Sequence, residues 1–223
     1  MLLAAGRGER MRPITDSVPK PLVQVAGRAL LDHVVDAARA EGLSRFVVNA
    51  HHLAPQIAGW AATRAIAVSH EAELLNTGGG VMNALPLLGT DPILVMHTDS
   101  FWPAGADRPI ARLIERWAVG DADMALLCVH PRNATGFRLS HDFCLDPSGH
   151  ITRDSGAPVI YAGACIVGRA MFAGRSGAFS MARLYEAAGE RGRLVGAVLD
   201  APWLHVGDAE AIAEAEARLE VAA

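Results

Sequence analysis

Hydrophobic positions along the chain up to His130 alternate between a pattern typical of strands and a pattern typical of helices. Short apolar runs predict buried strands at Met1–Ala5, Phe46–Asn49, Ile66–His70, Ile93–His97 and Met124–His130. Apolar residues at helical spacing predict helices at 30–42 (closed by Gly42), at Pro55–Ala62, from Thr77 to Leu88 and at Ile110–Val119. This alternation predicts βαβ units and an α/β fold with a mostly parallel sheet.

The pattern changes after His130, where short apolar pieces are separated by turn residues. The pieces Gly136–Leu139, Phe143–Leu145 and Ile151–Thr152 predict antiparallel hairpins. The remaining predicted elements are strands Val159–Val167, Val195–Leu199 and Trp203–Val206 and helices Met181–Gly189 and Ala209–Val221. No long linker interrupts the chain, so we expect a single domain over 1–223 whose pattern changes between residues 1–130 and 131–223. The sequence leaves open whether further residues precede its short first strand.

Composition and charge exclude several classes of protein. Hydrophobic residues make up 51% and charged residues 20% of the 223 residues, which excludes a disordered chain. The net charge of −4 and the pI of about 6.1 argue against a nucleic-acid partner. No apolar run is long enough to cross a bilayer, and the three cysteines are too scattered for a disulfide framework. We therefore expect a cytoplasmic protein without a membrane partner.

The balance of basic residues is unusual. Of the 20 basic residues, 19 are arginine and one is lysine, Lys20, which stands between Pro19 and Pro21. Lysine carries a compact charge on a flexible stem, which arginine does not reproduce at a tight phosphate site. The sequence thus singles out Lys20 as a candidate for phosphate chemistry.

A glycine-rich loop follows the first predicted strand and contains Gly6, Gly8 and Arg10. Such a turn lets backbone N–H groups approach phosphate oxygens, and arginines add bidentate phosphate donors. Met11 occupies the position where a dinucleotide fingerprint needs its third glycine, which argues against an oxidoreductase. The Walker motif of nucleotide hydrolases is also absent from the sequence.

This loop, continued through Pro13, Thr15 and Lys20, resembles the signature of nucleotidyltransferases that make nucleotide sugars. Among them the chain is most similar to the short N-acetylmuramate-1-phosphate uridylyltransferases of bacterial cell-wall recycling. Further matching segments are Asn76–Gly80, Thr98–Asp99 with Trp102, Gly136–Leu139, Tyr161–Gly163 and Trp203–Gly207. The resemblance implies a Rossmann-like three-layer α/β/α sandwich, the nucleotide-diphospho-sugar transferase fold. It also implies a nucleotide-binding half (1–130) and a sugar-phosphate-binding half (131–223).

The resemblance also implies a reaction and residues for it. A sugar-1-phosphate oxygen attacks the α-phosphorus of a nucleoside triphosphate, and Arg10, Lys20 and Asp99 are the implied catalytic residues. The implied nucleotide-binding residues are Leu3, Ala4, Ala5, Gly6, Gly8, Glu9, Arg10, Lys20, Asn76, Thr77, Gly78 and Gly79. The implied sugar-phosphate-binding residues are Lys20, Gly136, Arg138, Tyr161 and Gly163. Mg²⁺ is the implied cofactor, with Asp99 and His205 as candidate ligands.

Two positions depart from the pattern of the relatives. His205 replaces the acidic residue that is usually the second metal ligand. This replacement leaves three explanations open: Asp99 and phosphates alone hold Mg²⁺, His205 binds a softer metal or a phosphate, or the enzyme is weakened. Asn76 replaces a glutamate, which weakens the case for UTP as the nucleotide. We expect Asp208 to cap the last helix and the protein to be a monomer or weak homodimer.

Three alternatives therefore stay open beside transfer of UTP to N-acetylmuramate-1-phosphate. The first two are a mannose-1-phosphate guanylyltransferase and a glucose-1-phosphate nucleotidyltransferase. The third, from another class, is a nucleotide-sensing protein that kept the fold and lost turnover.

Overall fold

The computed structural model describes residues 1–89, 91–103, 105–106 and 108–222. The helices are α1 (Leu30–Ala40), α2 (Ala54–Ala62), α3 (Asn76–Leu88), α4 (Pro109–Ala118), α5 (Ala182–Glu190) and α6 (Glu210–Ala222). The first strands are β1 (Leu2–Leu3), β2 (Gln24–Val25), β3 (Arg28–Ala29), β4 (Val47–Ala50), β5 (Ala67–His70), β6 (Ile93–His97) and β7 (Ser100–Phe101). The later strands are β8 (Met124–Val129), β9 (Ala134–Thr135), β10 (Phe143–Leu145), β11 (Ile151–Thr152), β12 (Ala157–Val167), β13 (Leu194–Leu199) and β14 (Trp203–His205).

The central sheet joins strands from both halves of the chain. Strands β5, β4, β1 and β6 are neighbours and run parallel, and β12 lies antiparallel to β6 on the far side. Beyond β12 the sheet continues through β8 and β13, while β10 and β11 pair onto the first part of β12. Most strands of this mixed sheet thus share one direction, so the predicted α/β class with a mostly parallel mixed sheet is confirmed.

Alternation along the strands builds a core on each face of the sheet. Val48, Met96 and Leu127 face one core, whereas their neighbours Val47, Val95 and Leu126 face the other. Helices α1, α2, α4 and α6 cover the first face, and α3 and α5 cover the second. This gives the three layers that the resemblance implies, because a strand buried on both faces needs a helix layer on each side.

A small second sheet lies outside this sandwich. Strand β14 pairs antiparallel with β7 and parallel with β9, so Trp203–His205 lies beside the residues that follow β6. The predicted strand Gly136–Leu139 is wrong, because β9 ends at Thr135 and Gly136 turns the chain with a φ of +78°. The hairpins β2–β3 and β10–β11 are both antiparallel.

Helix α6 begins as the sequence predicts. The Asp208 carboxylate accepts a hydrogen bond from the Ala211 N–H at 3.0 Å, which confirms Asp208 as its cap. No helix among the described residues has the length and apolar character needed to span a membrane. The three cysteines are free and buried.

Gly136 provides a test of the contact between β9 and β14. A Cβ atom at Gly136 would clash with the His205 carbonyl oxygen. Gly136→Ala should therefore lower the free energy of unfolding by about 2–4 kcal/mol, since it adds steric overlap to an unfavourable positive φ. Gly27→Ala is the matched control, because Gly27 has a φ of +71° and open space around its Cα. Urea unfolding monitored by circular dichroism measures both, and equal losses for the two variants would contradict the assigned contact.

Candidate active site

A cleft of about 510 Å³ opens at the carboxyl ends of the parallel strands β1, β4, β5 and β6. Ligands of open α/β sheets bind at this edge, because loops leave every parallel strand there. Its walls are formed by Leu3, Ala4, Ala5, Gly6, Arg7, Gly8, Glu9, Arg10, Lys20, Pro21, Asn49, Glu71, Leu74, Asn76, Thr77, His97, Thr98, Asp99 and Gly207. The structure thus brings most of the sequence-predicted nucleotide residues together in one cleft.

The loop after β1 owes its shape to Gly8 and Thr15. Gly8 has a φ of +64°, and a Cβ atom there would lie 2.9 Å from both Lys20 Cβ and Thr15 Cγ2. The buried Thr15 hydroxyl donates a hydrogen bond to the Gly8 carbonyl oxygen at 2.8 Å. Glycine is therefore required at position 8 for the loop to close against Lys20.

The same loop presents a series of unused backbone donors. Among the described residues, the N–H groups of residues 5–10 have no protein acceptor, and we call them the N–H row. Gly8 lies in the left-handed region and is followed by the short helix Glu9–Met11, and residues 5–10 all lie on the wall of the cleft. Such a concave series of donors is suited to phosphate oxygens.

Backbone groups just before the N–H row are already paired. The Ala4 N–H donates to Asn49 Oδ1 at 2.6 Å, and the Leu3 carbonyl accepts from the Thr98 hydroxyl at 2.7 Å. Leu3 and Ala4 lie on the wall of the cleft. The hydrogen bonds of the Leu3 carbonyl and the Ala4 N–H hold the end of β1 in place.

Lys20 and Asp99 form an ion pair across the cleft. Lys20 Nζ lies 2.6 Å from Asp99 Oδ2, and the two side chains are only 13% and 25% exposed. Burial by itself would raise the pKa of Asp99, but the Lys20 ammonium, with His97 and His205, holds that pKa well below its usual range. Asp99 is therefore an anion at any physiological pH.

The small second sheet brings His205 to Asp99. His205 Nε2 lies 3.9 Å from Asp99 Oδ2, while His205 Nδ1 lies 3.3 Å from the Gly136 carbonyl oxygen. The imidazole stacks on the ring of Trp203, whose centroid is 5.6 Å away. Burial lowers the pKa of His205 more than the neighbouring Asp99 raises it. The neutral ring thus donates from Nδ1 to Gly136 and directs its Nε2 lone pair toward Asp99.

Two of the predicted sugar-side glycines shape the structure around Asp99 and His205. Gly136 allows β9 to approach the His205 backbone, and Gly163, with a φ of +80°, leaves room for the Ser100 hydroxyl next to Asp99. Tyr161 lies behind the cleft, with its ring edge-on to His97 at 5.6 Å between centroids. None of the three lies on the wall of the cleft.

Arg138, which the sequence predicts to bind the sugar phosphate, does not lie on the wall of the cleft in the structure. Its guanidinium binds the carboxylate of Asp208, just before α6, at 3.1 Å and Oε1 of Glu214, within α6, at 2.8 Å. These acidic side chains neutralise Arg138 away from the cleft walls, so it holds the loop after β9 against α6.

Gly78 and Gly79, which the sequence predicts to bind the nucleotide, pack away from the cleft. Their N–H groups both donate to the Phe179 carbonyl oxygen, at 2.8 and 3.0 Å, and neither residue lines the cleft. In the structure these glycines let α3 pack against residues 177–179. Asn76 and Thr77 do lie on the cleft wall.

Sequence reasoning missed Asn49 and Glu71, which are buried polar residues on the wall of the cleft. Asn49 Nδ2 donates to Glu71 Oε1 at 2.6 Å, and the Leu75 N–H donates to Glu71 Oε2 at 3.0 Å. A signal was present for Glu71, because it directly follows a predicted strand at the ligand-binding edge of the sheet. Asn49 lies inside an apolar run, where a single polar residue does not by itself indicate a functional site.

Comparison with known proteins agrees with this geometry. Residues 1–194 match the family described as the MobA-like NTP transferase domain. An N-acetylmuramate alpha-1-phosphate uridylyltransferase from Caulobacter vibrioides is 36% identical over 231 residues, covering 98% of this chain and 96% of the relative. A protein of the same description from Neisseria meningitidis serogroup B is 47% identical over 105 residues, covering 44% of this chain and 46% of that protein.

Solved structures share the fold at low sequence identity. HddC from Yersinia pseudotuberculosis, complexed with GMP-PN, has a TM-score of 0.75 at 19% identity, with 98% of this chain and 97% of that one covered. A putative glucose-1-phosphate thymidylyltransferase from Bacillus anthracis has a TM-score of 0.77 at 14% identity, with 97% and 93% covered. These structures confirm the predicted fold, and the family match together with the Caulobacter relative confirms the predicted enzyme class, a sugar-1-phosphate nucleotidyltransferase. The chain belongs to the MobA-like NTP transferase family.

Proposed function

We propose that the protein transfers the uridylyl group of UTP to N-acetylmuramate-1-phosphate, giving UDP-N-acetylmuramate and pyrophosphate. The observation that carries this proposal is the convergence of the N–H row, Arg10, Lys20 and Asp99 on one cleft. The description and near full-length similarity of the Caulobacter relative support the choice of base and sugar. Because nucleoside triphosphates are cytoplasmic substrates, we further infer a cytoplasmic location.

The reaction asks for positioning and charge stabilisation rather than for a protein nucleophile. A non-bridging oxygen of the sugar-1-phosphate forms a bond to the α-phosphorus of UTP. The bond from the α-phosphorus to the bridging oxygen of the β-phosphate breaks, and pyrophosphate departs with the electron pair. The attacking oxygen is already anionic near neutral pH, so no general base is needed.

The positively charged side chains and the N–H row of the cleft bind different phosphates of the two substrates. The N–H row and Arg10 bind the β- and γ-phosphates and stabilise the charge that develops on the leaving pyrophosphate. Lys20 lies between this loop and Asp99, where its ammonium contacts the α-phosphate and the incoming sugar phosphate. A slender ammonium suits a position shared by two phosphates, whereas a planar guanidinium needs more room.

Asp99 and His205 fit a divalent cation, Mg²⁺ or a softer ion, that takes further ligands from phosphate. No group of three His, Cys, Asp or Glu side chains in the described part of the chain is arranged to hold a metal ion alone. The Asp99 carboxylate and the His205 Nε2 lone pair nevertheless face the same space, and the contact from Nδ1 to Gly136 fixes the required tautomer. Such a cation, when bound, supplies positive charge to the phosphate oxygens. A Cβ atom at Gly207 would lie 2.6 Å from His205 Cε1, so Gly207 provides room for this imidazole.

A panel of four nucleoside triphosphates against several sugar-1-phosphates, measured by pyrophosphate release, tests the proposal. We expect turnover with UTP and N-acetylmuramate-1-phosphate. With that pair, Lys20→Ala and Lys20→Arg should each lower kcat/KM by about a hundredfold or more, because the charge at the reacting phosphorus is lost or misplaced. Arg12→Ala is the control, since Arg12 lies in the same loop but pairs with Asp16 at the surface.

Two results of the panel would contradict the proposal. Turnover confined to another pair would replace the substrates named here. Nucleotide binding without turnover for any pair would instead favour a nucleotide-sensing protein.

The ion pair also predicts a pH dependence. Lys20→Met removes the ammonium, so burial dominates and the pKa of Asp99 should rise above its wild-type value. A carboxyl with a depressed pKa stabilises the folded state above the unfolded-state pKa, and this contribution is lost as the pH falls toward the folded-state pKa. The stability advantage of the wild type over Lys20→Met should therefore shrink below about pH 4. Carbon-13 NMR of the Asp99 carboxyl checks the titration, and an unchanged Asp99 pKa in the variant would refute the assigned cause.

His205 predicts a change in metal preference. Imidazole nitrogen favours Mn²⁺ and softer ions relative to Mg²⁺, whereas a carboxylate suits Mg²⁺. His205→Asp should keep or improve turnover with Mg²⁺ and should raise the ratio of kcat/KM with Mg²⁺ to kcat/KM with Mn²⁺. Steady-state kinetics with each metal measure this ratio, with His141→Asp, in the loop before β10 and away from the cleft wall, as the control. An unchanged ratio in His205→Asp would show that this side chain does not contact the cation.

A further inference from the structure

Asn49 and Glu71 form a buried polar pair on the wall of the cleft. Asn49 is 3% exposed and Glu71 is 2% exposed. Asn49 is part of β4, and Glu71 directly follows β5, so the pair lies at the ends of two neighbouring strands. Burying a carboxylate is unfavourable unless hydrogen bonds compensate it, so the partners of Glu71 are informative.

The pair links the two walls of the cleft through three hydrogen bonds. On one side, Asn49 Oδ1 accepts from the Ala4 N–H at 2.6 Å, directly before the N–H row begins. On the other side, Glu71 Oε2 accepts from the Leu75 N–H at 3.0 Å, directly before α3 begins. Asn49 Nδ2 donates to Glu71 Oε1 at 2.6 Å and joins the two sides.

The protein keeps space for this pair at a cost to helix α3. A Cβ atom at Gly80 would lie 2.6 Å from Glu71 Oε1 and 2.7 Å from Asn49 Nδ2. Glycine is a poor helix former, so its presence inside α3 is explained by the approach of the two side chains. No ion pair of the described residues includes Glu71, so neutral donors hold its carboxylate.

We propose that Asn49 and Glu71 are positioning residues for the nucleotide. The pair fixes the spacing between the N–H row and the start of α3, where Asn76 and Thr77 form the opposite wall. This proposal rests on the proposed function insofar as the cleft binds a nucleoside triphosphate. The pair reaches neither Lys20 nor Asp99, so it acts on nucleotide binding rather than on the reacting phosphorus.

Reversing the polarity of the pair provides a sharp test. Asn49→Asp places two carboxylates next to each other. Glu71→Gln turns the N–H₂ of the new amide toward either Asn49 Nδ2 or the Leu75 N–H, both of which are donors. The double variant Asn49→Asp/Glu71→Gln restores a complete set of hydrogen bonds. In it, the amide N–H₂ introduced at position 71 donates to the carboxylate introduced at position 49, and the amide oxygen at position 71 accepts from the Leu75 N–H. The carboxylate at position 49 still accepts from the Ala4 N–H in this arrangement.

Asn83→Asp is the matched control for these variants. Asn83 lies on α3, and its amide donates to the Ser69 hydroxyl at 3.0 Å, away from the cleft wall. The control therefore makes the same chemical change as Asn49→Asp without touching the link between the two walls. We expect its UTP binding to equal that of the wild type.

The readouts separate positioning from general stability. Each single variant of the pair should raise the KM and the Kd for UTP by about tenfold or more, with kcat at saturation within about twofold and the KM for the sugar phosphate unchanged. The double variant should return both UTP constants to within about threefold of wild type. Calorimetric titration with UTP gives the Kd without turnover, so this test stands even if the sugar substrate is misassigned. All measurements are made well below the unfolding temperature of each variant.

Two outcomes would overturn the proposal. One is UTP binding in both single variants that equals that of the wild type. The other is a parallel loss of kcat and of affinity for both substrates that follows the unfolding temperature and that the double variant does not repair.

Discussion

The cleft depends on a positive charge that the loop after β1 holds at the carboxyl ends of the parallel strands. The loop after β1 folds back until Lys20 meets Asp99 at the end of β6, at 2.6 Å and largely out of water. Gly8 makes room for that approach, and the Thr98 hydroxyl binds the Leu3 carbonyl so that β1 and β6 end at a fixed separation. Since a buried carboxylate without a partner is costly, the ion pair and the loop support one another.

The second half of the chain contributes to the cleft mainly through its backbone. It supplies Gly207 to the wall and brings His205 to Asp99 by way of a three-stranded sheet that is separate from the central one. Gly136 and Gly163 are needed because a Cβ atom would clash with the His205 carbonyl oxygen at the first position and with the Ser100 hydroxyl at the second. The sugar-side segments that resemble those of the relatives therefore have a structural reason of their own.

Much of the fold was readable from hydrophobic periodicity, because the strands of a two-faced sheet are continuous apolar runs. The strand at Gly136–Leu139 was predicted wrongly, since its apolar residues serve a turn whose φ no periodicity reveals. At the site, motif and composition mark Arg10, Lys20 and Asp99 in the sequence, and the structure brings all three to one cleft. A sequence does not show which charge an arginine will pair with, and in the structure three acidic residues, Asp208, Glu210 and Glu214, bind Arg138. Asn49 and Glu71 were not predicted, because their hydrogen bonds join Ala4 to Leu75 and the sequence does not show that these segments are close.

The arginine-rich composition has a practical consequence. Lys20 carries the single ε-amino group of the sequence. An amine-selective acylating reagent therefore has one side chain to modify, and that side chain lies beside Asp99 in the cleft. The extent of acylation, determined by intact-mass spectrometry, becomes a direct readout of how fully a phosphate-bearing compound shields this position.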